Sequence, residues 1–431
     1  MNSRSVIKKI IPKKAFKQVE PYGHWAEAVI AQNKSGFPAR KLKVIGVTGT
    51  DGKTTTCLLI AKMLQSAGYN TAFITTASVD YGDGAGEQQN PTKLTTSSAS
   101  QLSKIILKIK NNGVEWLVLE VSSHALAQRR VWGIPFSIAV MTNMSNEHLD
   151  YHETFEHYRR AKERLFKLAN LNKKGLKTGI INADDATAEY FKHSIQTAVT
   201  YGLKNGDLQA KNINSTLNGN TFNVEVDGDE YSIKSNLVGE FNVYNLLATI
   251  AVGRIIGLSP SQIEKGIAAL KQVKGRMMPI EAGQNFKVFI DYAVTPLALE
   301  NVLKTVRTLA GKGKLIIVFG ATGDRDKTKR PLMGEVTSQL ADKVFLTDDE
   351  TYTENPKSIR EQVLAGVSKQ NMNKVTVEGD RRIAIKSALN TAKTNDIVII
   401  TGIGHQNNRN MAGKNVPWSD IEVTRELLKA G

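Results

Sequence analysis

The residues best placed to do chemistry are ten in a row: Gly46-Val47-Thr48-Gly49-Thr50-Asp51-Gly52-Lys53-Thr54-Thr55. Glycines let consecutive backbone N–H groups converge on phosphate oxygens, and a helix starting near Lys53 adds its positive end. In such a loop Lys53 reaches the β and γ phosphates of a nucleotide, and the Thr54 hydroxyl ligates Mg²⁺. Gly49, Thr50, Asp51, Gly52 and Thr55 complete the cradle. Val47 stands where the standard phosphate-loop pattern has its first glycine, and a plain strand-to-helix turn is the competing reading. A phosphate loop needs a second metal-holding group, usually a carboxylate ending a neighbouring buried strand. Trp116-Leu117-Val118-Leu119 ends in Glu120, followed by Val121-Ser122-Ser123-His124. A carboxylate straight after a buried strand needs a cation or a salt-bridge partner there.

The elements that must position these groups follow from periodicity. Val44–Val47 is a short apolar run, Thr54–Gln65 has helical spacing, and Ala72–Thr75 and Trp116–Val121 read as further strands. Apolar runs alternating with helical stretches predict a mainly parallel sheet covered by helices. Asp207–Ser235 alternates differently, with hairpin signals at Asn218-Gly219 and Asp227-Gly228, and the helical stretch Asn242–Leu258 closes the unit. After Gly275 the alternation restarts. Strands are expected at Lys287–Asp291, Lys314–Phe319, Lys343–Leu346, Val375–Val377 and Asp396–Thr401. Helices are expected at Pro296–Leu309, Pro331–Leu340, Pro356–Val367 and Arg381–Ala392. The fold class is therefore α/β: a basic N-terminal extension over 1–40, a central P-loop domain over 41–273, and a Rossmann-like domain over 275–431. Tyr22–Ala31 reads as a short helix within the extension, ahead of Gly36-Phe37-Pro38.

Composition narrows the partners. With 57 basic against 41 acidic residues the chain carries a formal charge of +16, which favours anionic partners such as nucleotides and phosphorylated substrates. No nucleic-acid-reading module is recognisable, so nucleic acid is not expected. The single cysteine, Cys57, excludes an intramolecular disulfide and fits a reducing cytoplasm. No apolar run approaches the length of a membrane span, and Met1–Lys17 lacks the apolar core of a signal peptide. The basic run Ser5–Lys14, broken by Pro12, could steer an anionic substrate or touch a membrane surface peripherally.

Beyond these local signals the chain resembles the Mur ligases, and within them the branch that adds the third residue of the stem peptide. The resemblance covers roughly residues 41–431. It rests on Thr48-Gly49-Thr50-Asp51-Gly52-Lys53-Thr54-Thr55, Leu94-Thr95-Thr96, Glu120-Val121-Ser122-Ser123-His124-Ala125-Leu126 and the stretch Thr142-Asn143-Met144-Ser145-Asn146-Glu147-His148-Leu149-Asp150-Tyr151-His152. Tyr158-Arg159-Arg160-Ala161-Lys162, Gly275-Arg276-Met277, Asp291-Tyr292-Ala293 and Gly323-Asp324-Arg325-Asp326-Lys327 through Arg330-Pro331-Leu332-Met333-Gly334 follow in order. The resemblance implies an ATP-dependent, ADP-forming ligase that converts a substrate carboxylate to an acyl phosphate and passes it to an amino acid. It implies one Mg²⁺ on Thr54 and Glu120, and a second on His148 and a carbamylated Lys162. Carbamylation would turn a repelling cation into a hard anionic oxygen ligand. Taken alone, Lys162 reads as a solvated lysine beside Arg159 and Arg160, and a lone histidine such as His148 is more often structural.

The same resemblance assigns Thr95, Thr96, Ser122, Gln128 and Arg130 to the UDP-N-acetylmuramoyl-peptide or a similar anionic muramoyl-peptide. It assigns Asn245, Asp291 and Arg276 to ATP, although Arg276 also reads as an interdomain surface arginine. Arg325, Asp349, Glu350, Gly402 and Gln406 fall in the amino-acid pocket. Three departures stand out. About 40 residues precede the P-loop strand, against a UDP-binding domain of about a hundred residues in family members. The expectation is thus that UDP is held by the sugar-peptide part, by the basic segment, or by another subunit. The family's Asp-Tyr-Ala-His-Thr-Pro reads Asp291-Tyr292-Ala293-Val294-Thr295-Pro296, and valine donates no hydrogen bond. In the acceptor pocket, Asp-Asn-Pro-Arg reads Asp349-Glu350-Thr351-Tyr352, and Gly-Lys-Gly-His-Glu reads Gly402-Ile403-Gly404-His405-Gln406. The acidic stretch reads either as a pocket wall favouring lysine or ornithine over meso-diaminopimelate, or as a solvated loop. A monomer is expected. Folylpolyglutamate-type or cyanophycin-type ligases, and a nucleotide-binding subunit without catalysis, remain alternative readings.

Overall fold

The computed structural model describes residues 13–92 and 94–430. Its first sheet has nine strands. They are β1 (Lys43–Thr48), β2 (Thr71–Ile74), β3 (Ser78–Asp80), β4 (Gln88–Gln89), β5 (Trp116–Glu120), β6 (Phe136–Met141), β7 (Thr178–Asn182), β8 (Thr197–Gly202) and β9 (Leu208–Gln209). The order is β4-β3-β2-β5-β1-β6-β7-β8-β9. All neighbours are parallel except the β2–β3 and β3–β4 pairs at one edge. The central strands are buried on both faces, so they carry apolar runs instead of alternation. Ile45, Val47, Val118 and Val140 pack with the helices Lys53–Ser66 and Phe241–Ile256 on one face. Val44, Leu117, Leu119 and Met141 pack with Ile106, Leu165 and Phe166 on the other. The chain leaves β1 toward β2 on one side and later crosses to β6 on the other. That reversal opens a crevice at the carboxyl ends of β1, β5 and β6.

The segment expected to hold hairpins forms β10 (Lys211–Thr216), β11 (Gly219–Val226) and β12 (Asp229–Ser235), an antiparallel meander. Asp227-Gly228 is the second turn as expected, both residues at positive φ. In the first, Thr216 pairs with Gly219, so Leu217-Asn218 form the loop and Gly219 already belongs to the strand. The second sheet holds β13 (Met278–Pro279), β14 (Lys287–Asp291), β15 (Leu315–Phe319), β16 (Lys343–Leu346), β17 (Val375–Val377) and β18 (Ile397–Thr401). Their order is β13-β14-β18-β15-β16-β17, parallel throughout except for β13. A hairpin of β19 (Asn408–Met411) and β20 (Lys414–Pro417) stands apart from it. The α/β class and the restart of the pattern after Gly275 thus appear as read.

Two expectations are corrected. The N-terminal helix runs over Lys13–Ser35, well beyond Tyr22–Ala31, and Pro21 lies inside it. Tertiary packing outweighs the local breaker: Trp25 meets Trp132 edge-on at 6.5 Å, Ala28 is fully buried, and Ser35 Oγ lies 2.5 Å from Ser103 Oγ. Most of the basic run Ser5–Lys14 falls outside the described residues. The helix expected at Pro331 begins at Lys329, which is allowed because a first-turn proline loses no helical hydrogen bond. No helix among the described residues is long and apolar enough to cross a membrane.

Under the carboxyl end of β18 lies a buried ion pair. Arg381 and Asp420 are both fully buried; Arg381 Nε and Nη2 donate to the two Asp420 oxygens at 2.8 and 2.7 Å, and Nη2 also reaches Thr401 O at 2.7 Å. Trp418 Nε1 donates to Asp420 Oδ1 at 2.8 Å. Removing one partner of such a pair strands the other charge. Arg381→Met should therefore lower unfolding free energy by about 3–5 kcal/mol in urea titration, more than a surface arginine replacement.

Candidate active site

The ten-residue loop leaves β1 at Thr48 and turns into the helix at Lys53. Gly52 must be glycine: its φ is +80°, and a Cβ there would lie 2.4 Å from Asn245 Oδ1. Thr142 Oγ1 donates to Asp51 O at 2.6 Å, and Asp51 N donates to Asn143 Oδ1 at 2.9 Å, so the loop is braced from the segment that follows β6. Lys53 Nζ folds onto Thr50 O at 2.6 Å. Asp51 Oδ2 is buried without a hydrogen-bond partner among the described residues, and burial raises its carboxyl while Lys53, Arg276, Lys162 and Lys329 draw it down.

Glu120 is 1% exposed at the end of β5, with Val47 paired beside it. It accepts from Thr54 Oγ1 at 2.9 Å, Thr76 N at 2.7 Å and Thr76 Oγ1 at 2.9 Å. Among the described residues its hydrogen-bond partners are hydroxyls and an amide and no salt bridge to it forms, so the salt-bridge reading does not hold there. Thr76, which nothing in the sequence singled out, is thus part of the site.

Lys162 corrects the solvated-lysine reading. It is 1% exposed, donates to Gly49 O, and sits 4.5 Å from the centre of the Tyr158 ring. Helical spacing turns Arg160 to solvent while Tyr158, Lys162, Leu165 and Phe166 face inward. Arg159 is buried too, paired with Glu163. Burial, and then Lys53, push the Lys162 ammonium well below its usual range. His148, at φ +57°, packs against His124 with ring centroids 4.7 Å apart. Burial first, and then His124, hold its imidazole down to about 2, so it is neutral. His124, His152 and Tyr151 form a ring cluster the sequence reading missed; His152 Nε2 bonds Ser123 Oγ at 3.0 Å. Among the described residues, no three His, Cys, Asp or Glu side chains form a ready-made metal cluster.

Thr95, Thr96, Ser122 and Arg130 meet along one wall. Thr95 Oγ1 lies 3.0 Å from Thr76 Oγ1, Ser122 N donates to Thr96 Oγ1 at 3.0 Å, and Arg130 Nη1 donates to Thr96 O at 3.0 Å. Gln128 is buried nearby in the chain, with Oε1 lacking a hydrogen-bond partner among the described residues. Asn245 accepts from Thr56 Oγ1 at 3.1 Å beside Gly52. Asp291 is buried at the end of β14 and accepts from Met277 N at 2.7 Å; burial lifts its carboxyl to about 6 against the pull of Arg276. Arg276 is half-buried, 4.4 Å from the Tyr292 ring centre, and its field reaches Asp51.

The acidic stretch after β16 is not a solvated loop. Asp349 is 3% exposed and Thr351 2%. Asp349 Oδ2 is buried without a hydrogen-bond partner among the described residues, and a Cβ on Gly402 (φ +115°) would lie 2.0 Å from it. Glu350 Oε1 accepts from Asn410 N at 3.0 Å, and Tyr352 N donates to Asn410 O at 3.1 Å, so β19 covers the stretch. Gln406 Nε2 reaches Tyr292 OH at 3.4 Å. Arg325 is exposed, 5.1 Å from the Tyr352 ring centre.

The "Mur ligase middle domain" matches residues 47–253, and the "Mur ligase, glutamate ligase domain" matches 275–404. A UDP-N-acetylmuramoyl-L-alanyl-D-glutamate--2,6-diaminopimelate ligase of Syntrophomonas wolfei is 37% identical over 406 residues, covering 94% of this chain and 82% of the relative. A ligase of the same name from Bacillus cereus is 40% identical over 93% of this chain and 81% of its own. A solved structure of a ligase with that name is 35% identical, with a TM-score of 0.62 over 90% of this chain and 78% of that one. A Mycobacterium tuberculosis folylpolyglutamate synthase shares the fold at 17% identity, with a TM-score of 0.71 over 88% and 92%. The chain belongs to the Mur ligase family.

Proposed function

We propose that this chain is an ATP-dependent, ADP-forming ligase that adds an amino acid to a UDP-N-acetylmuramoyl-peptide in peptidoglycan precursor synthesis. The observation that carries the reading is the hydrogen-bonded set of Thr54 and Glu120 at the phosphate loop, with Lys162 buried against Gly49 O. The residues suit ATP with Mg²⁺: an orphaned Asp51 oxygen, a glycine turn no Cβ would enter, and oxygen donors at Thr54 and Glu120. Mg²⁺ held by Thr54 and Glu120, with a second on His148 and carbamylated Lys162, would neutralise charge on the phosphoryl oxygens.

In this reading a substrate carboxylate oxygen, oriented near Thr95, Thr96, Ser122, Gln128 and Arg130, attacks the γ-phosphorus. The bond to the β-phosphate oxygen breaks and ADP leaves. The acceptor amine then attacks the acyl carbon, loses a proton, and expels phosphate to leave an amide. Lys53 and the loop amides stabilise negative charge through both steps. Asn245, Asp291 and Arg276 hold the nucleoside side, in a cleft between lobes spanning 41–273 and 275–431. Carbamylation requires an unprotonated amine, and the burial of Lys162 favours that form. The relatives' names and the substrate-side motifs favour this reading over a folylpolyglutamate-type or cyanophycin-type ligase.

The first test is ATP-to-ADP turnover with UDP-N-acetylmuramoyl-dipeptide and a panel of amino acids. Lys53→Ala should cut turnover by roughly a hundredfold or more with the melting temperature unchanged; an unchanged rate would remove the ATP site from the loop. Lys162→Ala should be nearly inactive and partly rescued by short carboxylic acids that fill the vacated ligand position. Absence of rescue, together with no carbamate mass on wild-type Lys162, would count against the carbamate.

For the acceptor, Tyr352 offers one neutral hydroxyl where a guanidinium would grip a distal carboxylate. Asp349 and Glu350 add negative charge to the same wall, and Glu350 already faces the Tyr352 hydroxyl at 3.5 Å. Lysine or ornithine should therefore show higher kcat/KM than meso-diaminopimelate in parallel assays. The opposite order would assign the distal carboxylate to Arg325 or Arg409.

A further inference from the structure

A cation from the second lobe stands at the wall of the phosphoryl-transfer site. Lys329 opens the helix Lys329–Leu340, and its Nζ lies 3.5 Å from Glu147 Oε1 on the first lobe. Both side chains are nearly enclosed, at 11% and 12% exposure. Glu147 immediately precedes His148, and the field of Lys329 reaches Asp51, Glu147 and His148. An enclosed ammonium is costly, so its position is not accidental surface decoration.

The turn that aims it is firmly built. Asp326 Oδ1 accepts from Thr328 N and Oγ1 at 2.9 and 2.6 Å. Arg330, fully buried, donates to both Glu354 oxygens at 2.9 Å, to Gln362 at 2.8 Å and to Thr322 O at 3.0 Å. With its neighbour on the chain anchored inward, Lys329 is left to point across the cleft. Glu147 is a single carboxylate, whereas a phosphoryl group in transfer carries more charge and lies in the region bounded by Lys53, Lys162 and His148.

We propose that Lys329 is a further catalytic residue, whose ammonium leaves Glu147 for a non-bridging oxygen of the phosphoryl group once ATP and the substrate carboxylate are bound. The inference rests on the ATP-dependent ligase reading. It makes lobe closure deliver charge stabilisation as well as the acceptor amine, because the cation arrives on the lobe that carries the acceptor pocket. No covalent bond is made or broken by the lysine.

The experiment compares wild type, Lys329→Met, Lys329→Arg and Glu147→Gln in the full chain. It measures Kd for Mg·ADP and for the Mg complex of the β,γ-methylene analogue of ATP, together with kcat and KM for ATP. Lys329→Met should weaken the analogue by about tenfold, leave ADP within about twofold, and lower kcat by roughly a hundredfold. Lys329→Arg should recover part of each loss, and Glu147→Gln should stay at least about tenfold more active than Lys329→Met. Equal losses in Lys329→Met and Glu147→Gln, with no change in the analogue-to-ADP ratio, would make the pair a structural latch and overturn the proposal. Wild type binding neither nucleotide would instead overturn the ATP reading, and the role of Lys329 with it.

Discussion

The candidate site depends on a buried carboxylate whose hydrogen-bond partners, among the described residues, are hydroxyls and a backbone amide. Glu120 receives one hydroxyl from the helix after the phosphate loop and two donors from Thr76 after β2. Those three bonds tie together the ends of β1, β2 and β5, the strands whose order opens the crevice. Burying an ionised carboxylate is unfavourable unless its lone pairs are met, so the loop, the helix start and the strand ends are positioned together. A metal ion would draw on oxygen already held in place.

Lys162 carries the opposite tension. Its helix turns it inward among Tyr158, Leu165 and Phe166, where it donates to Gly49 O. Lys53 lies close enough to add repulsion. The charge is poorly accommodated as an ammonium, which is the physical reason a neutral amine, and from it a carbamate, suits the place.

The second sheet meets this crevice with chemistry of its own. Asp291 and Arg276 stand at the junction, the acidic stretch after β16 lies under the β19–β20 hairpin, and the Arg381–Asp420 pair bonds Thr401 O and acts on Asp349 through its field. Asn407 Nδ2 reaches Gln89 Oε1 at 3.4 Å, so the hairpin region touches β4 of the first sheet. The two halves present complementary groups to one space.

The sequence by itself determined the α/β class, the places of most strands and helices, the glycine loop between β1 and its helix, the carboxylate at the end of β5 and the restart after Gly275. These are written in local spacing: apolar runs, glycine turns, and a Gly-Lys-Thr between strand and helix. Their physical basis is the backbone, which any chain with that spacing shares. Only the tertiary structure decided the state of individual charges. Lys162 and Arg160 lie two residues apart on one basic helix; packing buries the first and leaves the second in water. Asp349 lies in an acidic run, and only the cover of β19 and the close approach of Gly402 make it a buried wall. Thr76 and Lys329 are held by partners 44 and 182 residues away, Glu120 and Glu147. Burial and long-range pairing are properties of the folded whole, and no local pattern encodes them.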